Sequence, residues 1–256
     1  MNLEKYQQYS RIARGLEKAD LVLKNARIVN VFTEEIIRGD IAIQDGIIAG
    51  IGSFHGKEER DLVGRYVCPG FIDSHLHLES TLVTPAELVT VASRHGTTTF
   101  IVDPHESANV SGLAGIDYIL DQTEDVKANV YVMMPSCVPA TAIDDNGCTL
   151  TAEDMAPYLH NSRILGLGEV MDSISVVQGE KSMHDKLELF EGRIRDGHAP
   201  FLEEGDLQAY AMAGIATDHE CSFFDYAMRE RRNGLTILVR EGSAARNLEA
   251  LVGGLV

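Results

Sequence analysis

No stretch of this chain is apolar for long enough to span a bilayer, and Met1-Asn2-Leu3-Glu4-Lys5-Tyr6 lacks the apolar core of a signal peptide. The expectation is a soluble, cytoplasmic protein. Cysteine is scarce too: Cys68, Cys137, Cys148 and Cys221 show no close-paired spacing such as C-x-x-C. A disulfide framework is not expected in so long a chain, in keeping with a reducing compartment. Basic residues are also in deficit, with 22 Lys and Arg against 39 Asp and Glu and a formal charge of −17. That balance works against nucleic acid or an anionic membrane as partner. The acid is scattered rather than blocked, so it identifies no substrate.

What is present is an ordinary globular composition. With 256 residues and 45% hydrophobic content, the chain can bury one large domain or one barrel with a small appendage. Residues 1–18 mix polar and apolar side chains and suggest a leading helix. Residues 19–66 hold closely spaced apolar runs, two of them within 19–30 and two more joined at Asp45-Gly46, a hairpin signal. They predict a small antiparallel, β-sandwich-like subdomain.

From residue 67 onward the pattern becomes strand, then helix, repeated. Strand candidates lie before His75 and at 98–102, 129–134, 164–168, 195–198, 214–217 and 235–239, which makes seven. Helical candidates include 85–95, opened by Thr84 and Pro85, and a segment opened by Thr151 with Asp154 three residues on. Further ones are 204–213, 222–233 and a last helix at 244–252. Alternation of this kind implies a parallel sheet. The fold class is α/β, a (β/α)8-type barrel of which seven strands are here, covering 67–256.

The chemistry-bearing residues fall at the ends of these strands. His75 and His77 are two apart, so on an extended strand they share one face while Leu76 and Leu78 turn away. Two neutral imidazoles on one face form half of a divalent-metal site. Glu169 ends the fourth strand after Leu165-Gly166-Leu167-Gly168, His198 ends the fifth, and Asp218-His219-Glu220 ends the sixth. The C-terminal strand ends of a barrel share one rim, where catalytic groups collect. Taken singly, each histidine reads as a core or loop residue satisfied by one hydrogen bond; taken together, they favour a metal site. His75 and His77 would take one ion and His198 and His219 a second, with Glu169 bridging. Two adjacent cations acidify a shared water and supply a nucleophile near neutral pH. Glu79, His105 and Glu241 also lie past strand ends, where each is as well placed to cap a loop or support a ligand as to bind substrate or carry protons.

The run Pro69-Gly70-Phe71-Ile72-Asp73-Ser74-His75-Leu76-His77 resembles the signature of the amidohydrolase superfamily, Pro-Gly-x-Ile-Asp-x-His-x-His. Asp103-Pro104-His105-Glu106, the segment 135–140 (Pro-Ser-Cys-Val-Pro-Ala), Asp218-His219-Glu220 and the segment 240–248 are similar to the bacterial adenine deaminases within it. The resemblance runs from about residue 19 to the last helix. It implies hydrolytic deamination of adenine to hypoxanthine and ammonia in purine salvage. It further implies a pair of manganese or iron ions, zinc being the other candidate, with a strand-four carboxylate between them. Two departures accompany it. Asp172-Ser173-Ile174-Ser175-Val176-Val177 stands where the family has a Tyr-Pro-Gly-like segment. The eighth strand, whose aspartate binds a metal and acts as acid and base, does not follow. The expectation is therefore the N-terminal part of such an enzyme, with little activity alone, since a general acid/base is worth about 10²–10⁴ in rate. Open sheet edges suggest a homo-oligomer. Two other readings stand beside this one. The first is an amidohydrolase of a cyclic amide, disfavoured because Glu169 occupies the place those enzymes often give to a modified lysine. The second is a non-catalytic metal- or purine-binding remnant.

Overall fold

The computed structural model describes residues 1–141 and 143–254. The chain divides into two units, Met1–Pro69 and Gly70–Val256.

In the first unit, α1 (Leu3–Ala13) starts at Asn2, whose side chain accepts a hydrogen bond from Lys5 N. The strands β1 (Ala19–Asn30), β2 (Glu35–Gln44), β3 (Ile47–Gly52), β4 (Gly56–Asp61) and β5 (Tyr66–Val67) form one sheet, ordered β3-β2-β1-β4 with β5 also on β1. Residues 19–30, expected as two strands, are one: β1 runs through a register shift between Leu23 and Ala26, where Asn25 takes φ 56°. Asparagine tolerates that left-handed backbone, so the strand bulges without breaking. Asp45 (φ 50°) and Gly46 (φ 75°) turn β2 into β3 as expected of a two-residue hairpin. The expectation of a wholly antiparallel unit is corrected, because β4 and β5 both pair with β1 in parallel. β3 and β4 occupy opposite edges, so β4 does not return as a hairpin. Ile12 of α1 packs with Ala19, Val22 and Ala42 to close this core.

The second unit holds β6 (Phe71–Leu76), α2 (Pro85–Ser93), β7 (Thr97–Val102), α3 (His105–Ser111), α4 (Leu113–Gln122) and β8 (Asn129–Met134). It continues with α5 (Ala152–Met155), β9 (Ile164–Val170), α6 (Ser173–Gln178), α7 (Lys181–Leu189), β10 (Ile194–Gly197) and α8 (Glu204–Met212). β11 (Thr217–Asp218), α9 (Phe224–Arg232), β12 (Thr236–Ile237) and α10 (Leu248–Leu251) complete it. The seven strands β6 to β12 pair in chain order, all parallel. A parallel sheet wound in sequence order, each strand followed by helix, is the wall of a (β/α) barrel, and the expected α/β fold class is met. Phe100, Val102, Val132, Met134 and Leu167 from the strands bury against Ile116 and Ile119 of α4 and Leu187 of α7. Side chains this large bring about 1.5–3 kcal/mol each when taken fully out of water.

Local signals worked unevenly. Thr151 and Asp154 make the reciprocal capping box that opens α5. Thr84 precedes Pro85 at the start of α2 but makes no side-chain cap bond. The helix expected at 244–252 begins only at Leu248. Before it, Glu241 and Arg246 form an isolated antiparallel bridge and Asn247 N donates to Arg240 O. This loop claims the backbone that Ala244 and Ala245 would otherwise wind into helix.

Candidate metal centre

Every strand that ends at the rim delivers a polar side chain there, and Glu169 is the hub. Its backbone is pinned on both sides: N donates to Asp103 Oδ2 at 2.8 Å, and O accepts from Ser136 Oγ at 2.6 Å. Gly168 is required for this. A Cβ on it would stand 2.3 Å from Asp103 Oδ2. Glu169 is buried to 2% exposure and divides its two oxygens between two groups of imidazoles.

His75 and His77 meet Oε1. His77 Nε2 lies 3.3 Å from it and His75 Nε2 3.7 Å from it, and the two Nε2 atoms are 3.2 Å apart. The tautomers follow from the other side of each ring. His77 Nδ1 donates to Asp103 O at 2.7 Å, and His75 Nδ1 donates to Asp196 Oδ2 at 2.9 Å. A neutral imidazole carries one N–H, so both Nε2 atoms present lone pairs to each other and to a carboxylate. Three lone-pair donors converging without a proton fit a cation between them. Glu169 Oε1 has no hydrogen-bond partner although it is buried, which agrees with that fit.

His198 and His219 meet Oε2, with His198 Nδ1 at 2.8 Å and His219 Nε2 at 3.3 Å. Tyr210 of α8 locks this end of the sheet, since its hydroxyl donates to Val170 O at 2.6 Å and accepts from His198 N at 3.0 Å. Asp218 holds the next loop by accepting from Ala199 N, Glu220 N and Cys221 N. Three three-donor sets share the Glu169 carboxylate, His75/His77/Glu169, Glu169/His198/His219 and Asp103/His105/Glu169, and the first two, with two imidazoles each, can each hold a metal ion.

Burial alone would push the Glu169 carboxyl up, but His105, His198 and His219 outweigh it and hold it far below the usual carboxylate range. Burial works against charging His219, yet Asp196 and Glu169 raise it to about 10. Asp196 is driven below its ordinary value, because the imidazoles of His219 and His75 beside it overcome the cost of burying it.

Of the remaining sequence candidates, His105 joins the cluster. Its Nδ1 is 3.2 Å from Glu169 Oε1 and 3.6 Å from Asp103 Oδ1, and its ring packs edge-on to His77 at 4.6 Å. Glu79 is committed in part to the backbone. Its Oε1 accepts from Glu106 N and Ser107 N at the start of α3, the helix that opens with His105. Glu241 is exposed and accepts from Leu248 N at 3.4 Å; it makes no hydrogen bond or ion pair with the cluster among the described residues. Sequence reasoning gave no role to Asp103, Asp196 or the pair Glu220–Arg240. Arg240 grips both oxygens of Glu220, whose Oε1 stands 3.8 Å from His198 Nδ1 and from His219 Nε2. A strand-end position was the available signal for Asp103 and Glu220. For Asp196, on β10 two residues before His198 just past the strand end, the available signal was the same i, i+2 spacing that picks out His75 and His77.

A parallel barrel wall with imidazole–carboxylate donor sets on its rim defines a metal-dependent hydrolase class, and residues 66–246 match the amidohydrolase family. The chain belongs to that family. Among its relatives, an adenine deaminase from Desulfitobacterium hafniense is 58% identical over 255 residues, covering 100% of this chain and 45% of that protein. The adenine deaminase of Clostridium acetobutylicum is 49% identical over 245 residues, covering 95% and 43%. The chain thus spans under half the length of these relatives. Among solved structures, N-isopropylammelide isopropylaminohydrolase from Burkholderia multivorans superposes with a TM-score of 0.56 at 17% identity, over 92% of this chain and 72% of that one. Atrazine chlorohydrolase from Arthrobacter aurescens, complexed with zinc, gives 0.53 at 16% identity over 92% and 75%. These two show the fold. No helix among the described residues is long and apolar enough to cross a membrane.

Proposed function

We propose that this chain carries the metal-binding wall of an adenine deaminase, which hydrolyses adenine to hypoxanthine and ammonia in cytoplasmic purine salvage and works as a homo-oligomer. The observation that carries the reading is the shared carboxylate: Glu169 turns Oε1 to His75 and His77, with His105 beside them, and Oε2 to His198 and His219, in a chain 58% identical to a protein named for that reaction. His75, His77 and Glu169 Oε1 would hold one divalent ion, and Glu169 Oε2, His198 and His219 the other. Manganese or iron is the proposed metal, and imidazole with carboxylate suits zinc as well. When bound, such ions lower the pKa of water toward neutrality and polarise the reacting centre.

The chain's own residues then have defined work. In the net reaction one water adds to carbon 6 of the purine, the carbon–nitrogen bond to the amino group breaks, and ammonia leaves. His105, 3.2 Å from Glu169 Oε1, is placed to move a proton between water and the departing nitrogen. Glu220, oriented by Arg240, offers an acceptor for the N–H groups of the purine edge. Glu79 serves this site through α3, by fixing the turn that bears His105. Glu241 is assigned to a purine contact on its position after the seventh strand alone.

The test is to load the protein separately with Mn²⁺, Fe²⁺ and Zn²⁺ and supply adenine or hydantoin, following ammonia. Release from adenine that disappears in Glu169→Gln is expected. Turnover of hydantoin with none of adenine would defeat the assignment.

A further inference from the structure

His75 and His219 meet different oxygens of Glu169, yet they are stacked, with ring centroids 3.7 Å apart and planes inclined by 22°, and with Asp196 they form a further donor set. Both turn Nε2 toward Glu169, and both turn Nδ1 toward the same atom, Asp196 Oδ2, at 2.9 Å and 3.7 Å. His219 Nδ1 is buried without a hydrogen-bond partner, so this carboxylate oxygen is the acceptor that a small tilt of the ring would reach. The other oxygen is anchored. Asp196 Oδ1 accepts from Gly197 N at 3.0 Å and from Thr217 Oγ1 at 2.5 Å. Asp196, 4% exposed, therefore divides its labour, with Oδ1 fixed to β10 and β11 and Oδ2 aimed at two imidazoles.

We propose that Asp196 is a positioning residue that sets His75 and His219 together in the Nδ1–H tautomer, so that one carboxylate presents a metal-binding Nε2 to each of the two ions. The inference rests on the two-ion reading above and adds what couples the two positions. A carboxylate behind a ligating imidazole fixes its tautomer and ring plane, and losing one typically costs about 10–100-fold in metal affinity. Here a single group stands behind one ligand from each set, so its loss weakens both ions at once.

The geometry makes the isosteric substitution the informative one. In Asp196→Asn, Gly197 N still needs an acceptor, so the amide oxygen stays at the Oδ1 position and the NH₂ faces the two rings. An NH₂ cannot accept from Nδ1–H. His75 must then move its proton to Nε2, the atom the ion requires. Thr217→Val is the control, because it removes a bond to Oδ1 and leaves Oδ2 and both rings intact.

The experiment combines long-range proton–nitrogen imidazole spectra of the chelator-treated protein with competition titration of Zn²⁺ against a chromophoric chelator. The wild type is expected to show His75 as Nδ1–H. Asp196→Asn is expected to show it as Nε2–H and to bind both ions about 10–100-fold more weakly. Thr217→Val should keep the wild-type tautomer and affinity. A purely structural Asp196 would instead let Asp196→Asn bind normally, or make both variants fail alike; either result overturns the proposal, as does an Nε2–H tautomer in the wild type. If the wild type holds Nδ1–H, switches in Asp196→Asn, but binds fewer than two ions, the two-ion reading falls while the positioning role stands.

Discussion

Asp40 in the small sheet and Glu169 on the barrel rim are both buried carboxylates, at 6% and 2% exposure, and they are completed in opposite ways. Asp40 is closed by its own unit. Lys24 Nζ donates to Oδ2 at 2.5 Å, Phe54 N donates to the same oxygen, and Asn25 N donates to Oδ1. Burial would raise its pKa, but these donors outweigh burial and hold it below the usual carboxylate value. Glu169 is surrounded by histidines instead, with Oε1 unbonded and two imidazole lone pairs turned toward it. The first arrangement needs nothing more than the chain. The second is a donor set that calls for a cation, which is the physical difference between a structural and a functional buried charge.

The largest effect expected of any single change is at the open site. Under the proposed deaminase reading, Glu169→Gln should reduce whatever adenine turnover the protein shows to background, while Asp40→Asn, its counterpart in the closed network, should leave it intact; a steady-state ammonia assay compares them. Next comes metal itself. Ion at 100 times its Kd should stabilise the protein by about 2.7 kcal/mol in urea unfolding. That gain should appear in the wild type and in Asp40→Asn and vanish in Glu169→Gln. A smaller change probes the backbone behind the site. Gly168→Ala would press a Cβ to 2.3 Å from Asp103 Oδ2. It should cost about 1–3 kcal/mol by overpacking and lower metal affinity through displacement of Glu169.

The smallest effect sharpens the closed side. A carboxyl with a depressed folded pKa stabilises above its unfolded value, about 3.9, and that contribution is lost as pH falls through the folded pKa. Stability of the wild type should therefore drop from about pH 5 downward, and Asp40→Asn should show less of this drop, as read from urea midpoints. An acid limb unchanged by the substitution would mean that the Lys24 pair contributes nothing.

The donor atoms themselves were largely legible in the sequence. Strand period puts His75 and His77 on one face, and a parallel sheet puts Glu169, His198 and His219 on their rim, without knowledge of any side-chain direction. What lies behind the donors was not legible. The contact of His75 with Asp196 spans 121 residues and depends on how β6 and β10 face each other across the barrel, which no local pattern encodes. Glu79 and Glu241 had the right strand-end positions, but a backbone N–H is as good a partner for a carboxylate as a substrate is. One oxygen of Glu79 is taken up by α3 while the other has no hydrogen-bond partner, and Glu241 accepts from Leu248 N in the loop before α10. The small sheet shows the same limit, since the apolar runs of 19–66 marked its strands while the direction of β4 and β5 depended on which edge of β1 remained free.

The most direct measurement is electron paramagnetic resonance of Mn²⁺-loaded protein with metal content determined on the same sample. Two manganese ions per chain with a spin-coupled spectrum, replaced by an uncoupled signal in Glu169→Gln, is the expected result. Two uncoupled ions in the wild type, or coupling that survives Glu169→Gln, would contradict the shared carboxylate on which the whole reading turns.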